Sequence, residues 1–422
     1  MKVTTLGASR EVGRSAFLLE IENKSIILDF GVQIRQPMTF PLHVNPKKID
    51  AIILSHAHLD HSGAAPSFFV SNNIDVYCTN PTAEISNLLI DDFINLSNDV
   101  TKQYLPFQHQ ELKRMNENIN NIEMNSEFNI GDVNIKFINA GHMPGSVSMI
   151  IEGEGKRIAY TGDINSSDQN LVKGADTNYG ELDLLITEAT YGTSDHPGRE
   201  EVEEQFVLFA KEIAEKGGTL LIPAFAVGRS QEIACVLKAH EFSLPVAMDG
   251  MALKTNQILL NNLEYLKDAQ LFEKTIDELT VLKNWKQRKE LVNKPGVIIA
   301  PAGMMVGGLS SYYKESISMN EKNAIALVSY QAEGTPGRTL LEKKMIRVNG
   351  KLKKIKGEFE HFNFSSHSGS KELFEMISGI KGEPTVVAVH GEEEQSINFV
   401  NKVKKDFGYE AIAPELGDKI II

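Results

Sequence analysis

Residues 56 to 61 read His56-Ala57-His58-Leu59-Asp60-His61, so four side chains able to bind a metal fall within six residues. They directly follow the apolar run Ile52-Ile53-Leu54, which predicts a strand. A loop leaving that strand lets side chains converge that a strand would point to opposite faces. Neutral imidazole and carboxylate together suit Zn²⁺, and a cluster this dense can contribute to two ions. The alternative is a polar loop that is merely rich in histidine. This spacing of three His and one Asp rarely arises by accident, which favours the metal site.

Five more side chains of the same chemical kind lie further along the chain, each at the end of a short run with β character: Asp29, His142, Asp163, Glu188 and His390. The carboxyl ends of strands are the sheet edge where sites of α/β proteins lie. One such residue means little, because every strand must end in something polar. Together with the His cluster, they predict a single convergent site.

Size and composition indicate a globular protein of more than one domain. The chain has 422 residues, 42% of them hydrophobic and 23% charged, which makes two domains the natural expectation. Cys78 and Cys235 are the only cysteines, so the sequence predicts neither a disulfide framework nor a thiolate zinc site. This composition suits a reducing cytoplasm, and we therefore expect a cytoplasmic protein.

The net charge and the absence of long apolar runs bear on two kinds of partner, membranes and nucleic acids. We find no uninterrupted stretch of about eighteen apolar residues, so we expect no membrane span. A net charge of −13 argues against broad electrostatic adhesion to nucleic acid. It does not exclude nucleic-acid binding, because bound metal ions neutralise nearby carboxylates and attract phosphate.

The pattern of elements predicts one domain inserted into another. Residues 1–196 contain mostly short strands, with chemistry at the strand ends. Residues 197–342 alternate helices and strands, starting with an amphipathic helix over 199–216, and this predicts a parallel sheet with its own core. Asn349-Gly350 then predicts a hairpin. Because His390 looks like a partner of the His cluster, the first fold resumes over residues 343–422.

These residues resemble the motifs of a known family. Asp29, the 56–61 cluster, His142 and Asp163 look like the four motifs of the metallo-β-lactamase fold, and Glu188, His367 and His390 look like the three that define the β-CASP nucleases. Supporting strings are Thr190-Tyr191-Gly192-Thr193, Gly228-Arg229-Ser230-Gln231-Glu232, Pro301-Ala302-Gly303-Met304-Met305 and Ser365-Ser366-His367-Ser368. The resemblance covers nearly the whole chain. It is strongest to the endonuclease subunit of the cleavage and polyadenylation specificity factor and its compact archaeal relatives; ribonuclease J is more distant.

The resemblance implies an α/β architecture, a metallo-β-lactamase αββα sandwich with an inserted parallel-sheet β-CASP domain. It also implies two Zn²⁺ per chain. His56, His58 and His142 would hold one ion, Asp60, His61 and His390 the other, and Asp163 would bridge them. Asp29 would orient a ligand histidine; its alternative reading is a turn residue at a strand end.

The implied function is a zinc-dependent ribonuclease that hydrolyses single-stranded RNA to 5′-phosphate and 3′-hydroxyl products, in RNA processing, 3′-end formation or decay. Cleavage would be endonucleolytic, with 5′→3′ exonucleolytic trimming by the same site. His367 would be the general acid, Glu188 would hold its tautomer, and Asp60 would serve both catalysis and metal binding. The resemblance leaves a homodimer or an RNA-processing complex open as the assembly. We expect no KH module and no extra C-terminal domain like that of ribonuclease J.

Three other functions compete with this interpretation. A small-molecule hydrolase would not need the inserted domain or His367. A DNA-processing nuclease of the same superfamily typically lacks a histidine at the last motif, so His390 favours RNA. A scaffold subunit of an RNA-processing complex would lose several ligands, whereas this chain keeps all seven.

Four further residues are candidates for substrate binding. Arg229 follows Gly228 at a predicted helix start, where free amides and a guanidinium suit an anion. Gly307 and Gly308 could let an RNA backbone approach closely, and Ser366 adjoins His367. Tight packing between strand and helix explains the glycines equally well. Lys351, Lys353, Lys354 and Lys356 form a basic stretch that is either a solvated face or an RNA contact.

Overall fold

The computed structural model describes residues 1–34, 37–98, 104–282 and 284–422, which divide into two units. The first unit comprises Met1–Asp168, Gly174–Asp195 and Ser366–Ile422, and the second comprises Gln169–Lys173 and His196–Ser365. No helix in these described ranges combines the length and the apolar character that crossing a bilayer requires.

The described residues of the first unit form fourteen strands and five α-helices, and the second unit interrupts the first after β11. The strands are β1 (Lys2–Thr5), β2 (Ala16–Ile21), β3 (Lys24–Phe30), β4 (Ala51–Ile53), β5 (Asp75–Cys78), β6 (Ile119–Asn121), β7 (Glu127–Ile130), β8 (Val133–Asn139), β9 (Val147–Gly153), β10 (Lys156–Tyr160), β11 (Leu184–Glu188), β20 (Thr385–Val389), β21 (Ala411–Ile412) and β22 (Lys419–Ile421). The helices are α1 (Leu59–Ser62), α2 (Asn80–Leu96), α3 (His109–Glu117), α11 (Ser370–Ser378) and α12 (Glu393–Phe407).

These strands form two seven-stranded sheets, in the orders β22-β1-β2-β3-β4-β5-β6 and β21-β20-β11-β10-β9-β8-β7. One buried cluster takes side chains from both sheets, among them Phe17, Phe137 and Val387, and therefore lies between them. Helices α2 and α3 pack on the other face of the first sheet, and α11 and α12 on the other face of the second. The layers are αββα, so the predicted α/β class is confirmed.

The strand predicted from the apolar run Ile52-Ile53-Leu54 is present as β4, which covers Ala51–Ile53. Strand β3 runs to Phe30 and so includes Asp29, because residues 26–30 are all buried between the layers. Helix α1 is a single turn over Leu59–Ser62, with Gly63 as its C-cap residue. The His cluster thus leaves β4 as a loop and enters α1 at Leu59.

The second unit is built on a six-stranded parallel sheet of order β14-β13-β15-β12-β16-β19, which confirms the predicted parallel arrangement. Its strands are β12 (Thr219–Pro223), β13 (Val246–Met248), β14 (Thr280–Val281), β15 (Gly296–Ala300), β16 (Ala324–Leu327), β17 (Met345–Val348), β18 (Lys351–Lys354) and β19 (Glu358–His361). Its helices are α4 (Arg199–Glu215), α5 (Arg229–Ala239), α6 (Ala252–Leu260), α7 (Ala269–Glu278), α8 (Trp285–Leu291), α9 (Gly308–Ile317) and α10 (Pro336–Lys343).

The sequence prediction ends the inserted domain at residue 342, whereas the second unit continues to Ser365. The reason is that β19 forms a parallel ladder with β16, pairing Ala324 with Glu358 and Leu327 with His361. The hairpin predicted at Asn349-Gly350 is present as β17 and β18, and Ile346 of β17 lies in the core of this unit.

Candidate metal centre and catalytic residues

The metal-binding candidates lie together in the first unit, at the carboxyl ends of neighbouring strands. The 56–61 cluster follows β4, His142 follows β8, Asp163 follows β10 and His390 follows β20. Parallel pairing of β10 with β11, and of β11 with β20, aligns these ends. The fold therefore brings ligands together from residues that are more than 300 positions apart in sequence.

One group consists of three histidines and a carboxylate: His56, His58, His142 and Asp163. His58 Nδ1 lies 3.2 Å from His56 Nε2 and 3.1 Å from His142 Nε2. Asp163 Oδ2 lies 3.6 Å from His56 Nε2 and 3.7 Å from His142 Nε2. Four donor atoms thus surround one point.

The other group consists of Asp60, His61 and His390. His390 Nε2 lies 3.3 Å from Asp60 Oδ2. The second oxygen of Asp163, Oδ1, lies 3.2 Å from His61 Nε2 and 3.3 Å from His390 Nδ1. Each oxygen of Asp163 therefore faces a different group.

These distances fit two divalent ions. Ligands about 2.0–2.1 Å from a tetrahedral Zn²⁺ lie about 3.3 Å from one another, which is close to the separations in both groups. Asp163 Oδ1 is buried, and no donor in the described part of the chain is aligned for a hydrogen bond to it. A buried carboxylate oxygen without such a partner is costly unless a cation lies beside it. The donor set of imidazoles and carboxylates suits Zn²⁺.

In three of the histidines, Nδ1 has a hydrogen-bond partner, and this orients the ring so that Nε2 faces the two ligand groups. His56 Nδ1 lies 3.1 Å from Ser55 Oγ, and His142 Nδ1 donates to the Ser366 carbonyl at 2.9 Å. His61 Nδ1 donates to Asp29 Oδ2 at 2.8 Å. Such partners fix the tautomer and orientation of a ligand ring.

Asp29 is a fully buried carboxylate with four donors around it. Besides His61, it accepts from the Ser55 amide at 2.7 Å, from Ser55 Oγ at 2.6 Å and from the Tyr160 hydroxyl at 2.6 Å. Its backbone has φ +54°, a conformation that Asp tolerates better than most residues. The carboxylate lies outside both ligand groups, in contact with His61 instead.

Close backbone packing holds the His cluster in place. A Cβ at Gly31 would lie 1.8 Å from the Asp60 carbonyl oxygen. That oxygen accepts from the Ser15 amide at 2.7 Å, and the Leu59 carbonyl accepts from the Val32 amide at 2.8 Å. Only glycine at position 31 allows the strand exit and the loop to approach so closely.

The electrostatics of the histidines divide them into two sets. Burial, reinforced by the neighbouring histidines, holds the pKa of His56 and His142 well below its usual value, and burial likewise lowers the pKa of His58. Burial acts in the same direction on His61, but Asp163 and Asp29 outweigh it and raise the pKa of His61 well above normal. The first three are therefore neutral, the form that binds a metal.

His367 and Glu188 form a separate pair beside the ligands. His367 Nδ1 lies 2.9 Å from both oxygens of Glu188, which is buried and also accepts from the Ile164 amide at 2.7 Å. Burial lowers the pKa of His367, but the carboxylates of Glu188 and Asp163 outweigh this and raise it to about 9. The His367 ring centre lies 4.7 Å from that of His142, so this imidazole adjoins the metal groups.

Asp163, Glu188 and His390 also come close enough to form a third group of ligand-type atoms. Glu188 already binds His367 and the Ile164 amide, and Asp163 and His390 already belong to the two groups above. The site therefore fits two ions and a carboxylate–imidazole pair better than three ions.

The four residues predicted to contact the substrate are divided between the two units. Ser366 belongs to the first unit, where its carbonyl oxygen holds His142. Arg229, Gly307 and Gly308 belong to the second unit. Arg229 is buried at the start of α5, and a Cβ at Gly308 would lie 2.6 Å from the Pro301 carbonyl oxygen. Packing thus accounts for Gly308, whereas the space beside Gly307 is open.

The sequence analysis assigned no role in the site to Ser55, Tyr160 or Thr190, although Thr190 belongs to one of the strings that support the resemblance. Ser55 directly precedes the His cluster, and its position is a signal that could have identified it. Thr190 Oγ1 donates to the His390 carbonyl at 2.9 Å. Tyr160 ends β10 and resembles any buried strand residue, so nothing in the sequence marks its bond to Asp29.

Replacing Tyr160 by Phe should weaken metal binding about tenfold, because Asp29 loses one of its four donors and holds His61 less firmly. The measurement is a competition titration with a chelator. Tyr179→Phe is the matched control, since this buried hydroxyl bonds to Ser148 Oγ at 3.1 Å and contacts no ligand. Equal metal affinities for the two variants would contradict the role assigned to Tyr160.

Three family models match successive parts of the chain. Residues 10–175 match the metallo-β-lactamase superfamily, residues 230–340 match the β-CASP domain, and residues 353–414 match the RNA specificity domain of zinc-dependent metallo-hydrolases. The first match contains Asp29, the His cluster, His142 and Asp163, and the third contains His367 and His390. A metallo-β-lactamase fold implies binding of divalent metal ions.

Several archaeal proteins are similar to the chain over nearly its full length. It is 39% identical to "RNase aCSPSF2" of Saccharolobus solfataricus, over 98% of this chain and 84% of that protein. It is 34% identical to "Probable RNase MJ4" of Methanocaldococcus jannaschii, over the whole of both chains. It is 33% identical to "Transcription termination factor FttA" of the same organism, over 98% of this chain and 70% of that protein.

A solved structure also shares the fold. A crystal structure of a protein of unknown function from Enterococcus faecalis superposes with a TM-score of 0.62, covering 100% of this chain and 99% of the other. The two sequences are 16% identical, so the likeness concerns the fold alone.

Proposed function

The chain belongs to the β-CASP branch of the metallo-β-lactamase superfamily, and from that membership we propose that it is a ribonuclease that uses two Zn²⁺ ions to hydrolyse single-stranded RNA. It is a metal-dependent ribonuclease of RNA processing or transcription termination, in keeping with relatives named as RNases and as a termination factor. The choice of zinc, the number of ions and the preference for single strands are the new elements of the proposal.

One observation carries the proposal, namely the position of Asp163. Its two oxygens face two separate groups of ligand atoms, at 3.2 Å from His61 and 3.6 Å from His56. A carboxylate in this position suits two ions held side by side. Two bound zinc ions would supply an activated water at neutral pH and neutralise charge on the phosphate under attack.

His367 is the proposed general acid for the leaving 3′ oxygen. Its Nδ1 is occupied by Glu188 at 2.9 Å, so the proton available to the substrate is the one on Nε2. Glu188 fixes the ring orientation and favours the protonated imidazole. This proton transfer lets the 3′ oxygen leave as a hydroxyl, and the phosphate stays on the 5′ end of the downstream product.

The burial of the ligands supports a preference for single-stranded RNA. His56 is 0% exposed and His61 is 1% exposed, whereas His58 and Asp60 are partly exposed, so a phosphate would approach the ions from the side of His58 and Asp60. The phosphates of a duplex cannot do this without unpairing. A single strand can bend its backbone into such a site, either internally or from its 5′ end.

We expect about two zinc ions per chain in the protein as isolated, measured by plasma mass spectrometry. Circular single-stranded RNA should be cut, 5′-labelled linear RNA should also be shortened from its 5′ end, and the same strand in a full duplex should resist. All products should carry 5′-phosphate and 3′-hydroxyl ends.

Each part of this test has an outcome that contradicts the proposal. Full activity without bound metal would contradict the proposal that metal ions take part in the reaction. Equal rates on single and paired strands would remove the substrate preference. Resistant circles together with rapid release of mononucleotides would make the protein an exonuclease only.

A further inference from the structure

A strongly basic segment in the second unit has no part in the site described above. Residues 343–356, here called the basic hairpin, hold seven Lys or Arg residues and no Asp or Glu, in a chain whose net charge is −13. All seven side chains are exposed: Lys343, Lys344, Arg347, Lys351, Lys353, Lys354 and Lys356. Such a concentration of one sign is unusual for a chain of this composition.

The basic hairpin is firmly attached along one strand. Ile346 and Val348 of β17 are buried in a cluster with Tyr313 of α9 and Leu340 of α10. Strand β18 is exposed along its whole length, and within the described residues it pairs only with β17. The fold therefore holds β18 as a fixed, outward-facing strand.

The basic hairpin has one carboxylate in contact with it, because Glu315 Oε2 accepts from the Asn349 amide at 3.4 Å. None of the seven lies within 4.0 Å of a carboxylate in the part of the chain that the structure describes. The nearest acidic residues in sequence are engaged elsewhere, Glu342 with Arg338 and Glu358 with Lys216. The cations of the two strands each lie opposite an uncharged residue, and in the described part of the chain they add no ion pair to the fold.

We propose that the basic hairpin binds the phosphate backbone of RNA, as a contact additional to the metal centre. The inference rests on the proposed function, which supplies a polyanionic substrate. Lys351 and Lys353 lie on one face of β18, about 7 Å apart, whereas Lys354 lies on its other face and Lys356 follows the end of the strand. Repeated cations on a fixed strand suit a polymer with a charge on every unit. They contribute affinity rather than base specificity.

The test replaces Lys351, Lys353 and Lys354 together by Gln in the full chain. Binding of a fluorescent single-stranded RNA of about 30 nucleotides is measured at several salt concentrations, with His367→Ala in both proteins so that the RNA stays intact. Loss of three phosphate contacts should raise Kd at least tenfold at low salt and reduce the slope of log K against log salt by about 2. Replacement of the same lysines by Arg should preserve both values.

The matched control replaces Lys381, Lys404 and Lys405 by Gln, three exposed lysines of the first unit, with the same change in net charge. This variant should bind RNA as the parent does. An equal loss in both variants, or no change in the hairpin variant, would overturn the assignment. Polyglutamate binding that the hairpin substitutions alone abolish would assign the surface to an acidic protein instead. Cleavage by the unmodified chain tests the proposed function separately.

Discussion

Replacing His367 by Ala should lower the rate of RNA cleavage by about 10²–10⁴-fold while both metal ions remain bound. The imidazole is outside both ligand groups, and its Nδ1 is bonded to Glu188, so its removal takes away a proton donor and leaves the ligands in place. Single-turnover kinetics and metal analysis on one preparation measure both quantities. Loss of a metal equivalent would make His367 a ligand instead.

His361→Ala is the matched control for this experiment. His361 ends β19, is exposed, and belongs to the second unit, so its loss should leave the rate unchanged. Adding Glu188→Gln to His367→Ala tests the link between the two residues. If Glu188 acts through His367, the second change should have little further effect on the rate. Fully additive losses would separate their roles.

Replacing Asp163 by Ala should abolish cleavage and reduce bound metal below one ion per chain. Both ligand groups lose an oxygen at once, because Oδ1 faces His61 and Oδ2 faces His56. Asp60→Ala should remove only one of the two ions, because this carboxylate belongs only to the ligand group that contains His390. One ion should stay bound in this variant. Metal content by mass spectrometry and cleavage of labelled RNA compare the two variants.

Asp132→Ala controls for the loss of a carboxylate in the same unit, since Asp132 is exposed between β7 and β8. It should retain two ions and full activity. Circular dichroism should show the same fold in all three variants. Two ions retained by Asp163→Ala would mean that this residue does not bridge them.

Much of the fold could be predicted because its signals are local. The apolar run Ile52-Ile53-Leu54 identified β4, and Asn349-Gly350 identified the β17–β18 hairpin. The family resemblance is confirmed by the three family matches. The pairing of β19 with β16 was not predictable, because a strand of four exposed or half-buried residues has no apolar pattern that distinguishes it from a loop.

In the site, too, some residues could be identified from local sequence and others only from the tertiary fold. His56, His58, Asp60 and His61 stand side by side in sequence, so their type and spacing were enough to single them out. The Ser366 carbonyl that holds His142 is a backbone atom, and any residue could supply it. Tyr160 reaches Asp29 across 131 residues of sequence, which only the tertiary fold establishes. Arg229 stays a predicted anion contact, and its burial at the start of α5 depends on packing that the sequence does not reveal.

The distance in sequence between Asp60 and His390 determines when the complete site can form during synthesis on the ribosome. On the proposed assignment, the second ion needs a ligand that the ribosome adds 330 residues after Asp60. His367 is also made late, long after Glu188. A nascent chain can therefore assemble the three-histidine group first, yet it lacks both the second ion and the proton donor. On this assignment, a growing polypeptide that has not yet reached His367 and His390 should be unable to cut the messenger being translated.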